Sequence, residues 1–496
     1  MMDFIAQGVM VVLTPSNLLL VAGGVFLGIV VGAIPGLTAT LAISLLIPIT
    51  FTMDPIPALV LLLGIYCGGI YGGSITAILI NAPGTPGAAA TLLDGHPMAK
   101  NGRAGEALGI ATLGSALGGM LSALILIFAA QKIAFISLEF SGQEYFAISF
   151  FGLSIICSLS KDIIKGLIAG LFGFAMSFVG VDSITGVMRY TFGTVRLMSG
   201  VSMIPVIIGL FAVTEIINLI EDGIDREKVE IRKINRLLPP KKVMIRLIPT
   251  FIRSSIIGTL VGILPGAGAN IAAFVAYNET KRVSKTPELF GTGIEEGVAA
   301  SETSNNAVTG GAMIPMLTLG IHGDAVTAVL LSALMIQGFA PGPMLFTEHM
   351  DVVWPVYAAM VLANIFVLIQ GMLIARPVAM IAMVQKKYLI PGVAIFAMIG
   401  SFASSGYLWD LFVTLVFGFL GYLLCKVNFE VMPIVLGLLL GGMVERYYRQ
   451  AMVLANGDWT TLFTRPISCV LMVIAIASIV WNLRKDIKNN WLPEKK

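Results

Sequence analysis

Charged side chains are scarce in this sequence. Asp, Glu, Lys and Arg together make up 12% of its 496 residues, while hydrophobic residues make up 57%. A soluble domain carries about 25% charged residues, and a soluble chain of this length needs a large polar surface. The scarcity excludes an ordinary soluble protein and predicts that most of the outside faces lipid.

Signals of catalysis and of metal or nucleotide binding are also lacking. The sequence contains no nucleophile elbow, phosphate-binding P-loop or zinc motif. The spacing of the four cysteines indicates neither a metal site nor a disulfide framework, and all four fall in apolar segments: Cys67, Cys157, Cys425 and Cys469. We therefore expect no enzyme, no ATP-driven pump, no cofactor and no tightly bound metal.

Long segments without charge predict membrane-spanning helices. No charged residue occurs between Phe4 and Met53. One helical crossing needs about 20 apolar residues, whereas barrel strands alternate in segments of about ten. Because these uncharged blocks are continuous and recur, we predict an all-α polytopic membrane protein with about 11–12 transmembrane helices. The full spans are predicted at 58–80, 106–130, 144–159, 162–180, 200–220, 299–320, 352–374, 388–402, 408–425, 431–443 and 466–483.

Two further apolar segments are too long for one crossing. Segment 17–48 has 32 residues, about 48 Å as a straight helix at about 1.5 Å per residue, against a hydrocarbon core of about 30 Å. Pro35-Gly36 lies in its middle, where proline removes a hydrogen-bond donor and breaks the helix. Segment 248–278 is interrupted in the same way at Pro265-Gly266. We predict a broken or re-entrant helix in both segments.

The distribution of Lys and Arg predicts the orientation. Segment 221–247 carries eight basic residues and segment 484–496 carries five. Cytoplasmic loops are enriched in such residues, so we place both segments in the cytoplasm and the N-terminus, which has no basic residue before Lys100, outside. It lacks a basic n-region and is not expected to be a cleavable signal peptide. Five arginines do not fit this orientation: Arg189, Arg196, Arg446, Arg449 and Arg465.

One pattern occurs twice. Gly28-x3-Gly32-x2-Pro35-Gly36 recurs 230 positions later at 258–266, and the glycine pair at 72–73 is echoed 238 positions later at 310–311. Each echo leads to a second break, at 81–87 and at 320–324. Because the first copy begins outside and the second inside, we predict inverted repeats, a design typical of secondary transporters. The predicted organisation is a first membrane repeat at 1–220, the cytoplasmic loop at 221–247, a second membrane repeat at 248–445, a C-terminal helix region at 446–483 and a cytoplasmic tail at 484–496.

The four breaks carry the candidate binding residues. Interrupted helices at membrane depth expose backbone groups only where protein or a water-filled cavity satisfies them. A half-helix N-terminus suits a carboxylate, and unwound carbonyls suit sodium. The predicted substrate and ion site consists of Pro35, Gly36, Thr38, Thr40, Asn81, Gly84, Thr85, Pro86, Pro265, Gly266, Gly268, Asn270, Glu302, Ser304, Asn305, Asn306, His322, Gly323 and Asp324.

Three ionisable residues stand out among them. Glu302 and Asp324 are carboxylates near membrane depth, where an ionisable group indicates function. His322 lies two residues before Asp324, so the pair could carry a proton or tune selectivity, or could be a satisfied pair within a loop. Both readings stay open at this stage, as does the alternative that the polar residues at the breaks only cap or pack helices.

Several of these motifs resemble the TctA family, the large membrane subunit of tripartite tricarboxylate transporters. The resemblance covers roughly residues 18–440 and rests on Gly32-Ala-Ile-Pro-Gly-Leu, Gly72-Gly-Ser-Ile-Thr-Ala-Ile-Leu-Ile-Asn-Ala-Pro-Gly-Thr-Pro, Leu93-Asp-Gly-His-Pro-Met-Ala, Glu296-Gly-Val-Ala-Ala, Asn305-Asn306, Gly310-Gly-Ala-Met-Ile-Pro and Leu319-Gly-Ile. It implies a permease of the bacterial cytoplasmic (inner) membrane with two partners, a small membrane subunit and an extracytoplasmic solute-binding protein. It also implies uptake of citrate or another carboxylate, driven by a sodium or proton gradient.

Two stretches depart from the family pattern. The family pattern has Gly-Ile-Pro-Gly-Ser where this chain has 320–324, with His322 and Asp324, and Pro-Glu-Ala-Ala where it has 301–304. An added carboxylate beside an anionic substrate disfavours binding unless it is protonated or paired. We therefore expect a carboxylate other than citrate, or altered ion coupling.

Two other functions remain as alternatives. A passive anion channel or an ion exchanger could be built on the same inverted repeat, but a channel would not accumulate substrate against a gradient. A membrane enzyme acting on lipid would need a convergent nucleophile, base or metal set, which the sequence does not show.

Overall fold

The computed structural model describes residues 2–34, 37–137, 139–159, 162–182, 185–221, 237, 239–264, 268–381 and 386–490. Among these residues, the first half contains ten α-helices: α1 (Met2–Val12), α2 (Pro15–Ala33), α3 (Ala39–Thr50), α4 (Pro55–Ile80), α5 (Leu92–Lys100), α6 (Ala104–Ser137), α7 (Gly142–Leu159), α8 (Ile163–Met176), α9 (Met203–Ile208) and α10 (Thr214–Glu221). The described part of the second half contains eleven: α11 (Lys241–Ile263), α12 (Gly268–Val283), α13 (Glu295–Leu319), α14 (Ala325–Ile336), α15 (Pro343–Glu348), α16 (Met350–Ile381), α17 (Lys386–Ser405), α18 (Leu408–Lys426), α19 (Met432–Leu454), α20 (Thr461–Thr464) and α21 (Pro466–Asn490).

The helices confirm the predicted class, an all-α polytopic membrane protein. Within the described residues, seven helices are long and apolar enough to cross a membrane, and five shorter apolar helices have 10–17 residues. Every full span predicted from the sequence overlaps a helix. Strand is confined, in the described part of the chain, to the two-residue antiparallel pair β1 (Gly180–Val181) and β2 (Met188–Arg189).

Both over-long apolar segments are divided at the predicted positions. Helix α2 ends at Ala33 and α3 begins after Thr38, while α11 ends at Ile263 and α12 begins at Gly268. The four residues of the Pro-Gly pairs, Pro35, Gly36, Pro265 and Gly266, lie outside the described residues. The helices on either side of each pair are therefore separate elements.

Helices α4 and α13 end in the same backbone conformation. Asn81 follows α4 with φ +58°, and Gly320 follows α13 with φ +69°. This left-handed conformation is a common way to end a helix, and asparagine tolerates it better than most residues. Asn81 is also exposed, so its position indicates a structural role in ending α4.

The chain folds into two compact units. Unit 1 comprises 1–134, 218–318 and 322–396, and unit 2 comprises 135–217, 319–321 and 397–496. Both units contain residues from both halves of the sequence. The organisation into two consecutive membrane repeats, a loop, a C-terminal helix region and a tail stays a prediction. All described residues of the predicted site lie in unit 1.

Unit 2 contains a core between α7, α19 and α21 and a network of ion pairs. Its core residues are Phe146, Ala147, Val444, Ala451, Leu462 and Met472. Arg189 contacts Glu445 at 2.6 Å and Arg449 contacts Asp182 at 2.9 Å. Arg465 contacts Glu144 at 2.6 Å. Three of the five arginines that do not fit the predicted orientation are therefore paired with carboxylates, and pairing lowers the cost of a charge near the membrane.

Candidate functional site

Helix α2 packs so closely against α4 that only glycine fits between them. A Cβ at Gly28 would lie 2.5 Å from the carbonyl oxygen of Ile65, and one at Gly32 would lie 2.2 Å from that of Gly69. Small residues at i and i+4 allow such backbone contact between membrane helices. The closeness places the end of α2 directly beside the middle of α4.

Helix α11 packs against α13 in the same manner. A Cβ at Gly258 would lie 2.4 Å from the carbonyl oxygen of Ser304, and one at Gly311 would lie 2.4 Å from that of Thr259. Gly258 follows Gly28 by 230 positions and Ser304 follows Ile65 by 239 (304 − 65). The second contact thus repeats the first.

The breaks after α4 and α13 confirm this correspondence. A Cβ at Gly84 would lie 2.0 Å from the carbonyl oxygen of Gly32, and one at Gly323 would lie 2.5 Å from that of Gly262. Gly323 follows Gly84 by 239 positions, and Gly262 follows Gly32 by 230. The spacing of 238 positions predicted for the second element is therefore wrong by one residue: Gly72 corresponds to Gly311.

Corresponding residues of the two copies meet each other. The amide nitrogen of Asn306 donates to the carbonyl oxygen of Cys67 at 3.4 Å, and these residues correspond at 239 positions. Helix α3 packs on α14 of the second copy, and α12 packs on the 3-10 turn Pro86–Ala89 of the first. Reciprocal contacts of this kind are typical of elements related by a two-fold axis. Inversion of the copies across the membrane stays a prediction.

The first site lies where the break after α4 meets α13, and consists of Thr85, Gly87 and Asn305. A Cβ at Gly87 would lie 2.2 Å from Asn305 Oδ1 and 3.0 Å from the Cβ of Ala269 at the start of α12. Thr85 is 4% exposed and Asn305 is fully buried. The Thr85 hydroxyl and both amide atoms of Asn305 have no hydrogen-bond partner within the described part of the protein.

These free atoms indicate a ligand site. A buried polar group without a partner costs about 1–3 kcal/mol, and native proteins rarely leave several together. Asn305 offers both a donor and an acceptor, and Thr85 offers a hydroxyl. Among the described residues, Thr85 and Asn305 thus carry unused hydrogen-bonding capacity beside the same break.

The second site lies at the position related to the first by the repeat, where the break after α13 meets α4, and consists of Tyr66, Asp324 and Thr327. The Tyr66 hydroxyl donates to Asp324 Oδ2 at 2.7 Å. The backbone nitrogen and the hydroxyl of Thr327 each donate to Asp324 Oδ1 at 2.7 Å. Asp324 is the N-cap of α14 and forms a capping box with Thr327. The second site is thus satisfied by the protein itself.

Glu302 lies one turn before Asn306 on α13 and is fully buried. The Thr91 hydroxyl donates to one of its carboxylate oxygens, and the Ser115 hydroxyl donates to the other at 3.0 Å. Thr91 follows the break at 81–87, and Ser115 belongs to α6. Glu302 is thus a buried carboxylate held by neutral hydroxyls.

His322 is not hydrogen-bonded to Asp324, which is bound by Tyr66 and Thr327. The His322 side chain is 1% exposed, and neither ring nitrogen has a partner within the described residues. Sequence proximity suggested a His–Asp pair, but the structure directs the two side chains to different surroundings. A buried histidine with two free nitrogens remains a functional candidate on its own.

The remaining predicted residues divide into helix caps, packing glycines and exposed positions. The Thr38 hydroxyl accepts from the backbone nitrogen of Leu41 at 3.2 Å and so caps α3. The Ser304 hydroxyl donates to the Ser301 carbonyl at 3.1 Å. Gly268 begins α12 with φ +60°, and Thr40 is buried. Pro86 and Asn270 are exposed.

The sequence prediction missed Tyr66 and Asp94. Asp94 is fully buried in α5. Its Oδ1 accepts from the backbone nitrogens of Gly291, Gly293 and Ile294 at 2.8–3.0 Å, and its Oδ2 accepts from the Tyr277 hydroxyl at 2.8 Å. Nearby, Arg103 forms ion pairs with Glu106 and Glu295. Asp94 thus binds the segment before α13, and Tyr277 of α12, to α5 of the first copy. We call these hydrogen bonds the Asp94 clamp. Its only sequence signal is the motif at 93–99.

Comparisons with known proteins found a matching family and two similar sequences. A family model described as "Tripartite tricarboxylate transporter TctA family" matches residues 18–436. An uncharacterized 52.8 kDa protein in the TAR-I ttuC' 3'region of Agrobacterium vitis is 38% identical over 494 residues, which cover 99% of this chain and 98% of that protein. An uncharacterized protein in the TAR-II ttuC' 3'region of the same organism is 36% identical over 233 residues, covering 47% of this chain and 96% of that protein.

Proposed function

Because this chain belongs to the TctA family of tripartite tricarboxylate transporters, we propose that it is a permease that imports a small organic carboxylate through the first site. The family is one of transporters rather than of enzymes, and the match confirms the resemblance carried by the motifs. The apolar helices make the chain an integral membrane protein. The bacterial inner membrane, with the N-terminus outside and the C-terminus in the cytoplasm, is part of this proposal.

One observation carries the choice of the first site. The Asn305 amide and the Thr85 hydroxyl are buried, adjacent to the same break, and without partners in the described residues. An amide nitrogen and a hydroxyl can both donate to a carboxylate. Neutral donors in a site of low dielectric recognise an anion without a fixed counter-charge, so the bound anion can also leave.

The proposed driving force is a sodium or proton gradient. Glu302 lies three residues before Asn305 on α13, and the hydroxyls of Thr91 and Ser115 donate to its carboxylate. A carboxylate in that position can balance a cation that travels with the substrate. His322 could accept a proton instead, since both its ring nitrogens are free within the described part of the chain. We propose that one of these two side chains binds the coupling cation.

The proposed partners are a small membrane subunit and an extracytoplasmic solute-binding protein. The description "tripartite" of the matching family supports a system with more than one component. The binding protein would deliver the carboxylate, and the permease would move it across the membrane. A passive anion channel or an ion exchanger on the same scaffold would require no such delivery.

Uptake of labelled citrate and other labelled carboxylates into proteoliposomes tests this proposal. The vesicles contain this chain and its small membrane partner, with the binding protein outside, and carry an inward sodium gradient, a proton gradient or neither. We expect accumulation that requires one gradient and the binding protein. Equilibration without accumulation would indicate a channel. Accumulation driven by counter-exchange alone, without either gradient, would indicate an exchanger.

A further inference from the structure

The second site contains a carboxylate where the first contains none. Thr85 and Asp324 correspond at 239 positions, as do Tyr66 and Asn305 (324 − 85 and 305 − 66). At the second site Asp324, on the break of the second copy, is hydrogen-bonded to Tyr66, on α4 of the first copy, at 2.7 Å. At the first site the corresponding side chains are Thr85, on the break of the first copy, and Asn305, on α13 of the second copy, and both are unpartnered in the described structure.

The donors around Asp324 form a complete carboxylate site. One oxygen accepts from the Tyr66 hydroxyl, and the other accepts from the backbone nitrogen and the hydroxyl of Thr327. Asp324 is 8% exposed and begins the twelve-residue helix α14, whose N-terminus favours negative charge. All these donors are uncharged, and hydrogen bonds of this type to a carboxylate are strong.

We propose that the second site is an anion site permanently occupied by the protein's own Asp324 carboxylate, so that each chain binds one free carboxylate group, at the first site. Asp324 is then a tethered equivalent of the ligand. The two-fold related scaffold then has one site filled by the protein itself and one site whose side chains, Thr85 and Asn305, are unpartnered in the described structure. The part that concerns the first site rests on the proposed function, whereas the occupancy of the second site does not.

The filled site also explains why an extra acid is tolerated in this region. The Asp324 carboxylate would repel an anionic substrate if it faced the same site. Its oxygens instead point to Tyr66 and Thr327, whereas the unpartnered groups of the first site come from Thr85 and Asn305. The two-fold arrangement therefore gives the internal carboxylate and the substrate separate places.

Chemical rescue by formate tests the proposal. Asp324→Gly and Asp324→Ser each remove the carboxylate, leave space for a free one, and keep a residue that is favoured at a helix N-cap. We expect formate to raise the Tm of each purified full-length variant by a few degrees, with saturation, because a ligand that binds only the folded state stabilises it. Chloride at the same concentration should not reproduce this shift.

Three controls separate the second site from the first. In the wild-type chain the second site is filled, so its Tm shift with formate measures only binding outside that site. Asp324→Asn fills the space with an amide and should show no gain over wild type. Tyr66→Phe combined with Asp324→Ser removes the hydroxyl donor and should weaken the rescue at least tenfold in formate concentration.

The outcomes are decisive even if the variants are unstable. In that case the yield of folded Asp324→Ser should recover when formate is present throughout extraction and purification. A formate effect no larger than in the wild type, or no recovery of yield, would overturn the proposal. Either negative result would leave carboxylate uptake through the first site untouched, because that is measured on the wild-type chain.

Discussion

The amide nitrogen of Asn306 donates to the backbone carbonyl of Cys67 at 3.4 Å, and these two residues are equivalent positions of the two copies. A residue that contacts its own equivalent lies next to the axis relating the copies. The first and second sites are reached from this contact by one step along each helix, at Asn305 and Tyr66. The pair Asn305 and Thr85 and the pair Tyr66 and Asp324 therefore lie on either side of one local two-fold axis.

The glycine packing of α2 predicts a position-specific loss of stability. Gly32→Ala should lower the free energy of unfolding by about 1–3 kcal/mol, the usual effect of overpacking, because its Cβ would lie 2.2 Å from the carbonyl oxygen of Gly69. Gly23→Ala is the matched control in the same helix, since a Cβ there has nothing within 4 Å. Thermal unfolding in detergent compares them. Equal Tm values for the two variants would contradict the close packing.

The Asp94 clamp should require a carboxylate at position 94 for full stability, and a neutral side chain of the same size should not replace it. Asp94→Asn keeps the size but turns one acceptor into a donor that faces either Tyr277 or three backbone nitrogens. We expect a loss of about 2–3 kcal/mol, as for a buried hydrogen bond to a charged group.

Two further variants check the clamp. Tyr277→Phe removes a single donor and should cost less than Asp94→Asn, and the double variant should cost less than the sum, because both act on one network. Glu288→Gln alters an exposed carboxylate in the neighbouring segment and should leave the Tm unchanged. Full additivity of Tyr277→Phe and Asp94→Asn in the unfolding measurements would refute the clamp.

Glu302→Gln should leave the protein folded but impair the coupling of uptake to the ion gradient. The glutamine side chain has the same shape and still accepts a hydrogen bond from Thr91 or Ser115, so we expect a folded protein with a modest change in Tm. We expect gradient-driven uptake to fall at least tenfold, because the charge that balances the coupling cation is lost. Uptake at the wild-type rate, with the same ion dependence, would remove Glu302 from the coupling mechanism.

We expect a substitution at His322 to impair uptake without lowering stability. His322→Phe removes two buried nitrogens that have no partner within the described residues, and removing such groups stabilises a protein or leaves its stability unchanged. If His322 serves transport, uptake should fall, or its pH dependence should change, while the Tm stays level or rises. A loss of Tm with unchanged uptake would instead show that the histidine is only a packing residue.

The sequence predicted the helices and breaks because their signals are local. Charge-free length, Pro-Gly pairs and glycine spacing are each contained in one segment, and α2, α3, α11 and α12 begin and end close to where those signals lie. The register of the repeat was missed by one residue because an offset of 238 positions matches both glycines of the pair, whereas the offset of 239 found in the structure matches only Gly72 with Gly311. Contacts between distant segments, such as that of Gly311 with Thr259 and that of Gly323 with Gly262, distinguish the two registers.

The pairing of polar groups could not be predicted, because it depends on contacts between distant segments. Tyr66 and Asp324 are 258 positions apart, and nothing in their local sequence connects them. His322 and Asp324 looked like a pair because they are neighbours in sequence, but helix α14 uses Asp324 as its cap. Among many polar residues at the breaks, burial and missing partners are what separate Asn305 and Thr85 from residues that only cap helices.

The measurement that tests the central claim most directly is carboxylate uptake by Asn305→Ala beside Asn17→Ala. Both variants remove a buried asparagine side chain from a membrane helix, but Asn17 lies near the start of α2, where its amide bonds the carbonyl of Val11. With equal amounts of folded protein in the vesicles, we predict that Asn305→Ala lowers uptake at limiting substrate at least tenfold and that Asn17→Ala does not. Wild-type uptake by Asn305→Ala would contradict the first site as the place where the carboxylate binds.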